Sequence, residues 1–307
     1  MRNTGQDEVG PICDEAPRPL EPRSVVLPDG RRLETWQRPA LPGAPTVIFE
    51  NGLGSPASAW GAVVDRLAHD VGVVRYHRAG IGASSPDQRA RTVDRLAEDL
   101  IHLVDTVDGP LVLTGHSWGG PILRTAAPRR PDRIVGVVLV DPSDEALDIY
   151  LGPFVVAVNR ATNAVLGTLA ASGITRLLTT RWVPPPLAES LGAVPEAYRA
   201  EFVAFFNRRA NFVAYSREAD NIRASMLAMR AHPPAVVPVA TVTISAGQPA
   251  TGFGSGNRQQ LIAAHAERAA AAGAAWAIQP APESGHNVPM LDPGAVVAAI
   301  DSVLGRG

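Results

Sequence analysis

Short apolar runs alternate with amphipathic stretches along most of this chain. Residues 46–50, 71–76, 111–114 and 134–140 are nearly continuous in apolar side chains, the pattern of strands buried on both faces. Between them, Val93, Leu96, Leu100, Leu103 and Val107 recur at helical spacing and predict a helix over 92–107. Trp60, Val63, Val64 and Leu67 predict another over 59–68. Near the start, 24–27 and 31–36 flank Pro28-Asp29-Gly30, a turn signature that predicts a β-hairpin. The alternation stops at about 145. From there to about 235, Leu, Phe, Trp and Tyr sit in helical-looking segments around Pro184-Pro185-Pro186, with no strand pattern. It then resumes with a strand at 239–245, a helix at 258–272, a strand at 274–279 and a helix at 295–304.

This order predicts an α/β fold: a mostly parallel central sheet covered by helices on both faces, with a helical cap inserted into it. The expected organisation is a flexible tail over 1–22, rich in Pro and charge, a core domain formed by 23–144 and 236–307, and a cap or lid over 145–235.

Composition narrows the function classes. The chain has 307 residues, 46% hydrophobic and 19% charged, with a net charge of −2, which suits a globular enzyme and gives no basic surface for nucleic acid. All the basic side chains apart from histidine are arginine. Cys13 is the single cysteine, so no disulfide forms within the chain and no cysteine-based metal or redox motif exists. Residues 1–22 carry no apolar leader segment, and no run reaches the length of a membrane span; a cytoplasmic protein without a membrane partner is expected, as monomer or homodimer. No H-E-x-x-H spacing and no dinucleotide fingerprint occur, so neither metal nor cofactor is expected.

The chemistry centres on Gly115-His116-Ser117-Trp118-Gly119, which directly follows an apolar strand and precedes a helix-like stretch. In that context a G-x-S-x-G pentapeptide is a nucleophile elbow: a tight turn strains the serine and presents its hydroxyl, and both flanking positions must be tiny. Together with 49–54, 78–84, Gly120, 138–143 and Gly285-His286, the elbow resembles the α/β-hydrolase family, in its serine-nucleophile, esterase/lipase-like branch, over about residues 24–305.

The resemblance implies a triad. Ser117 is the nucleophile, and His286, on a Gly-flanked loop after the last strand, is the general base. The acid often follows the strand at 239–245, but here that strand runs into Ala246-Gly247-Gln248-Pro249, without a carboxylate. The family's other location, the end of the preceding strand, is Asp141; Asp144, Glu145 and Glu50 are the alternatives. Glu50 otherwise reads as a buried carboxylate bracing its loop. The oxyanion hole is expected from the backbone N–H groups of Leu53 and Trp118. His116 is expected to point away from the nucleophile, His77 to be structural, and His69, His102 and His265 to lie at the surface.

Pocket candidates are Asn51, Trp182 and Phe206, with the Trp118 side chain near the site. Phe154, Phe202, Phe205, Phe212 and Tyr215 read as an apolar wall or as packing between cap and sheet. The expected function is hydrolysis of a carboxylic ester or lactone of an apolar small molecule through an acyl-enzyme. The alternatives are C–C bond hydrolysis or acyl transfer on the same fold, and a non-catalytic ligand-binding protein of hydrolase shape.

Overall fold

The computed structural model describes residues 18–180, 190–249 and 255–306; the 181–189 segment containing Trp182 and the site of Cys13 lie outside the described residues. Eight strands form one sheet: β1 Glu21–Val26, β2 Arg32–Arg38, β3 Thr46–Glu50, β4 Gly72–Tyr76, β5 Leu111–His116, β6 Ile134–Val140, β7 Ala240–Ala246 and β8 Trp276–Ala281. Their order across the sheet is β1-β2-β4-β3-β5-β6-β7-β8. The hairpin β1–β2 is antiparallel and β2 joins β4 antiparallel, while every pairing from β4 to β8 is parallel. β1 therefore begins inside the stretch expected to be a tail, because Glu21 and Pro22 pair with Gln37 and Trp36. The two edge strands, β1 and β8, each contain a proline, Pro22 and Pro280.

The apolar runs become central strands because both of their faces are covered. Ile48, Leu111, Leu113, Val137 and Leu139 point into one core, with Leu96, Leu100 and Leu103 of α2 (Val93–Val104) and Ile122 and Leu123 of α3 (Gly119–Ala126). Their neighbours Val47, Phe49, Val112, Val138 and Val140 point into a second core. There they meet Val63 and Val64 of α1 (Gly61–Val64) and residues of the last long helix, Val296, Ala299 and Ile300. This alternation is the two-residue period of a pleated strand, read here on both sides.

Between β6 and β7 the described residues include the helices α4 Pro153–Ala171, α5 Ile174–Thr180, α6 Glu196–Phe206, α7 Arg209–Ala219 and α8 Ile222–Ala231. The core closes with α9 Ser255–Ala272, α10 Val288–Leu291 and α11 Pro293–Val303. Two of the boundary differences have a visible local cause. The helix expected over 59–68 is a 3₁₀ turn, Ala57–Trp60, followed by the four residues of α1. Gly61 admits α6 there: a Cβ at this position would lie 2.3 Å from the Tyr198 ring. β8 starts two residues late because Gly273, at φ +87°, and the bond from Trp276 N–H to Gly273 O make a turn of 273–276.

Gly120 shows how tightly the sheet ends are packed. A Cβ there would lie 2.3 Å from Pro142 Cβ and 3.2 Å from Pro142 Cα, where β6 exits the sheet. Gly256, in α9, has nothing within 4 Å. Gly120→Ala should therefore cost about 1–3 kcal/mol by overpacking. Gly256→Ala should be neutral or stabilise by up to about 1 kcal/mol. Urea unfolding of both variants checks the contrast, and equal effects would contradict this packing.

Candidate active site

The carboxyl ends of β5 and β6 lie side by side, with His116 paired to Val140. Both chains turn sharply just past that pair. Ser117 sits at φ +53° and Asp141 at φ +42°, and among the described residues these are the only non-glycine positions with positive φ. Such backbone costs of order 1–3 kcal/mol per residue and persists only where the surroundings over-determine it. Here they do. Ser117 N–H donates to Val140 O at 3.0 Å, and Ser117 O accepts from Ser143 N–H at 3.0 Å. Asp141 N–H donates to Ile244 O of β7 at 2.8 Å. The flanking glycines sit in close contact: a Cβ on Gly115 would lie 3.0 Å from Gly119 O, and one on Gly119 would lie 2.8 Å from Glu50 O.

His286, on the loop after β8, joins the two turns. Its Nε2 is 2.9 Å from Ser117 Oγ and its Nδ1 is 2.6 Å from Asp141 Oδ2. With Nδ1–H donating to the carboxylate, Nε2 is left to accept from the serine hydroxyl, the arrangement that can draw off its proton. The His286 side chain is 32% exposed and Asp141 is fully buried. Asp141 Oδ1 also accepts from Ala246 N–H at 3.1 Å and from Arg258 Nη1 at 2.7 Å. Burial by itself would raise this carboxyl, but the His286 and Arg258 interactions outweigh it and bring it down to about 2. The alternative acids are engaged elsewhere. Glu145 is bidentate to Arg124, and Asp144 is bidentate to Arg268.

Beside Ser117 runs the loop after β3. A Cβ built on Gly52 would lie 3.5 Å from Ser117 Cβ. Among the described residues, the backbone N–H groups of Leu53 and Trp118 have no hydrogen-bond acceptor. Glu50 braces this loop: fully buried, it accepts from Asn51 N–H at 3.0 Å, from the Tyr76 hydroxyl and from Arg78 Nη1 at 2.7 Å. Its burial raises the carboxyl, against the pull of Arg78 and Tyr76.

Several expected placements change. The Asn51 side chain is 2% exposed; its carbonyl accepts from Trp60 Nε1 and its amide donates to Tyr76 O, so it holds the scaffold instead of lining a pocket. The Trp118 side chain is 1% exposed and packs in the α2/α3 core, away from the cleft. Phe206 is half-buried on Phe202 and Phe205. His77 takes a structural place, with Nδ1 2.9 Å from Glu34 Oε2. His265 is buried, not superficial: its Nε2 donates to Pro142 O at 2.8 Å and its Nδ1 accepts from the Ser245 hydroxyl at 3.0 Å. His116 turns from the serine but reaches the base loop, donating from Nε2 to His286 O at 2.8 Å. The sequence reading passes over Arg258 and places His265 at the surface, although Arg258, Leu261, His265 and Ala269 recur at the spacing of one buried helical face.

Burial, reinforced by the charge of His286, lowers His116 to about 3. Once unfolded, the same side chain would titrate near its ordinary value of about 6.5. The unfolded chain then binds a proton that the folded chain refuses, so stability should fall as pH drops from about 6.5 toward 3. His265, also lowered by burial, acts in the same direction. In His116→Gln the slope of unfolding free energy against pH over this window should shrink; urea titrations at a series of pH values test it, and an unchanged slope would contradict the assignment.

The profile of the alpha/beta hydrolase family matches residues 47–300. The uncharacterized protein YqjL of Bacillus subtilis is 32% identical over 117 residues, covering 38% of this chain and 46% of the relative. Lipase LipV of Mycobacterium tuberculosis is 32% identical over 111 residues, 35% of this chain and 41% of the relative. The matched stretches thus span less than half the length of these curated relatives. A crystal structure of a hydrolase from Pseudomonas aeruginosa PA01 superposes with a TM-score of 0.66 at 25% identity, over 92% of this chain and 98% of its own. From β3 into α11, then, sheet order, strand-end turns and family profile agree: the chain belongs to the alpha/beta hydrolase family.

Proposed function

We propose that this protein is a serine hydrolase that cleaves a carboxylic ester or lactone of an apolar small molecule through an acyl-enzyme. The carrying observation is the chain of contacts from Ser117 Oγ to His286 at 2.9 Å and from His286 to Asp141 at 2.6 Å. His286 Nε2 takes the hydroxyl proton as Ser117 Oγ attacks the substrate carbonyl carbon. Asp141 keeps the imidazole in the required tautomer and stabilises its charged form. The carbonyl oxygen becomes an oxyanion, received by the unengaged N–H groups of Leu53 and Trp118. His286 then gives the proton to the leaving alkoxide, leaving the acyl group on Ser117. Water, activated by the same imidazole, releases the acid and restores the serine. For a lactone the leaving oxygen stays tethered to the acyl group.

The preference for an apolar substrate rests on the chain beside the loop. Tyr215 of α7 lies against Gly54, where a Cβ would come 2.6 Å from its ring, and on the same insertion the half-buried Phe206 packs on the cluster of Ile81, Phe205 and Ala214. Relatives of the family include a lipase. No cofactor enters the reaction.

A fluorophosphonate probe with peptide mapping of the adduct tests the reading. Labelling should fall on Ser117, vanish in Ser117→Ala and drop at least about 10³-fold in rate in His286→Ala. Ser117→Ala should unfold as the wild type does yet lose turnover of p-nitrophenyl esters. Turnover retained in that variant, or a folded wild type that neither labels nor hydrolyses, would overturn the proposal.

A further inference from the structure

The loop that carries Leu53 is held by a side chain that the reaction scheme does not use. Arg78, 1% exposed, lies two residues past the end of β4 and has every N–H engaged. Nη1 donates to Asn51 O at 2.6 Å and to Glu50 Oε1 at 2.7 Å. Nη2 donates to Gly52 O at 2.9 Å and to Glu218 Oε2 at 2.7 Å. Nε donates to both oxygens of Glu218, at 3.0 and 3.1 Å. Glu218 is fully buried and belongs to α7, inside the helical insertion, 140 residues away in sequence. The guanidinium thus fastens two consecutive loop carbonyls with one fork and the insertion with the other.

Gly52 O and Leu53 N–H belong to the same peptide unit. A trans peptide is planar, and its C=O and N–H point in opposite directions. Fixing Gly52 O on Arg78 therefore fixes the direction of Leu53 N–H away from the guanidinium. The positive charge on the oxygen also polarises the peptide and strengthens its N–H as a donor. Gly52 has no side chain to resist this setting: a Cβ there would lie 2.9 Å from His116 Nδ1, so the peptide is clamped between His116 and Arg78.

We infer that Arg78 and Glu218 are positioning residues for the oxyanion donor: Arg78 aims the Gly52–Leu53 peptide, and Glu218 holds Arg78 from the insertion. This rests on the serine-hydrolase reading and deepens it. Seating of α7 and competence of the oxyanion site become one event, because a helix that lifts away takes the Glu218 carboxylate with it. Arg78 is then left with two loop carbonyls and Glu50. The seat itself is close-fitting: Gly80, at φ +85°, would bring a Cβ to 3.0 Å from Ala214 Cβ of α7. Arg91 Nη2, 3.5 Å from Glu218 Oε1, adds a second positive charge to that carboxylate.

The test compares wild type, Glu218→Gln and Arg78→Lys on a p-nitrophenyl ester and its thionoester, with active sites counted by fluorophosphonate titration. Sulfur accepts hydrogen bonds poorly, so an aimed donor pair favours the ester, and a misaimed one loses that preference. Per titrated site, Glu218→Gln should lower kcat by about 10-fold and Arg78→Lys by about 100-fold, with KM within about threefold. The ratio of kcat/KM for ester over thionoester should fall by similar factors. A variant that only loses titratable sites, while the rest keep wild-type kcat and the wild-type ratio, would overturn the inference. Glu218→Gln preserves shape and carries the test alone should Arg78→Lys fail to fold. A wild type whose Ser117 does not label removes the serine-hydrolase reading and this inference together. A labelled wild type with unaltered variants removes this inference alone.

Discussion

A buried negative charge governs the architecture around the strand ends. Asp141 has no exposure to water, and an uncompensated carboxylate in such a place would be costly enough to be protonated. Its compensation comes from three separate elements: Ala246 N–H at the end of β7, Arg258 on α9, and the His286 ring on the loop after β8. Each must arrive in register for the charge to be tolerated. The β6–β7 pairing of Val140 with Ile244 supplies the backbone donor, and the β7–β8 pairing brings the histidine loop over the same spot. His265 adds a bond to the next carbonyl, Pro142 O, and so fixes the turn that the carboxylate occupies.

That arrangement explains which parts of the molecule were legible beforehand. The central strands announced themselves because burial on both faces demands nearly continuous apolar runs, as in Thr46–Glu50 and Ile134–Val140. Ser117 was marked by two glycines whose missing side chains answer close contacts with backbone oxygens, and His286 by its loop after the final strand. Asp141 was singled out because the next strand offers no carboxylate. What stayed hidden depends on contacts between residues far apart: Arg258 with Asp141 across 117 positions, His265 with Pro142 across 123, and Arg78 with Glu218 across 140. Trp118 was misjudged because the residue after an elbow serine supplies its backbone to one side and its ring to the core on the other.

The absence of lysine gains a structural meaning here. The charges buried beside the strand ends are matched by guanidinium groups, each of which reaches several oxygens at fixed angles. Arg78 spans two carboxylates and two carbonyls, and Arg268 and Arg124 both reach Glu145. A single ammonium could satisfy the charge but not the geometry. Guanidinium also keeps its proton at any pH at which the fold survives, so these networks do not loosen by titration of the basic partner.

The two prolines at the margins of the sheet bear on how the molecule behaves in company. A sheet with open sides presents unpaired amides that another copy can extend, a route to fibrils. Pro22 and Pro280 each withdraw one amide from those margins, and each sits on a strand of only six residues. An eight-stranded sheet with apolar central strands and open margins would otherwise be a template for edge-to-edge pairing. Both of its ends are instead poor docking sites, so crowding should favour the separate folded molecule over open-ended assembly.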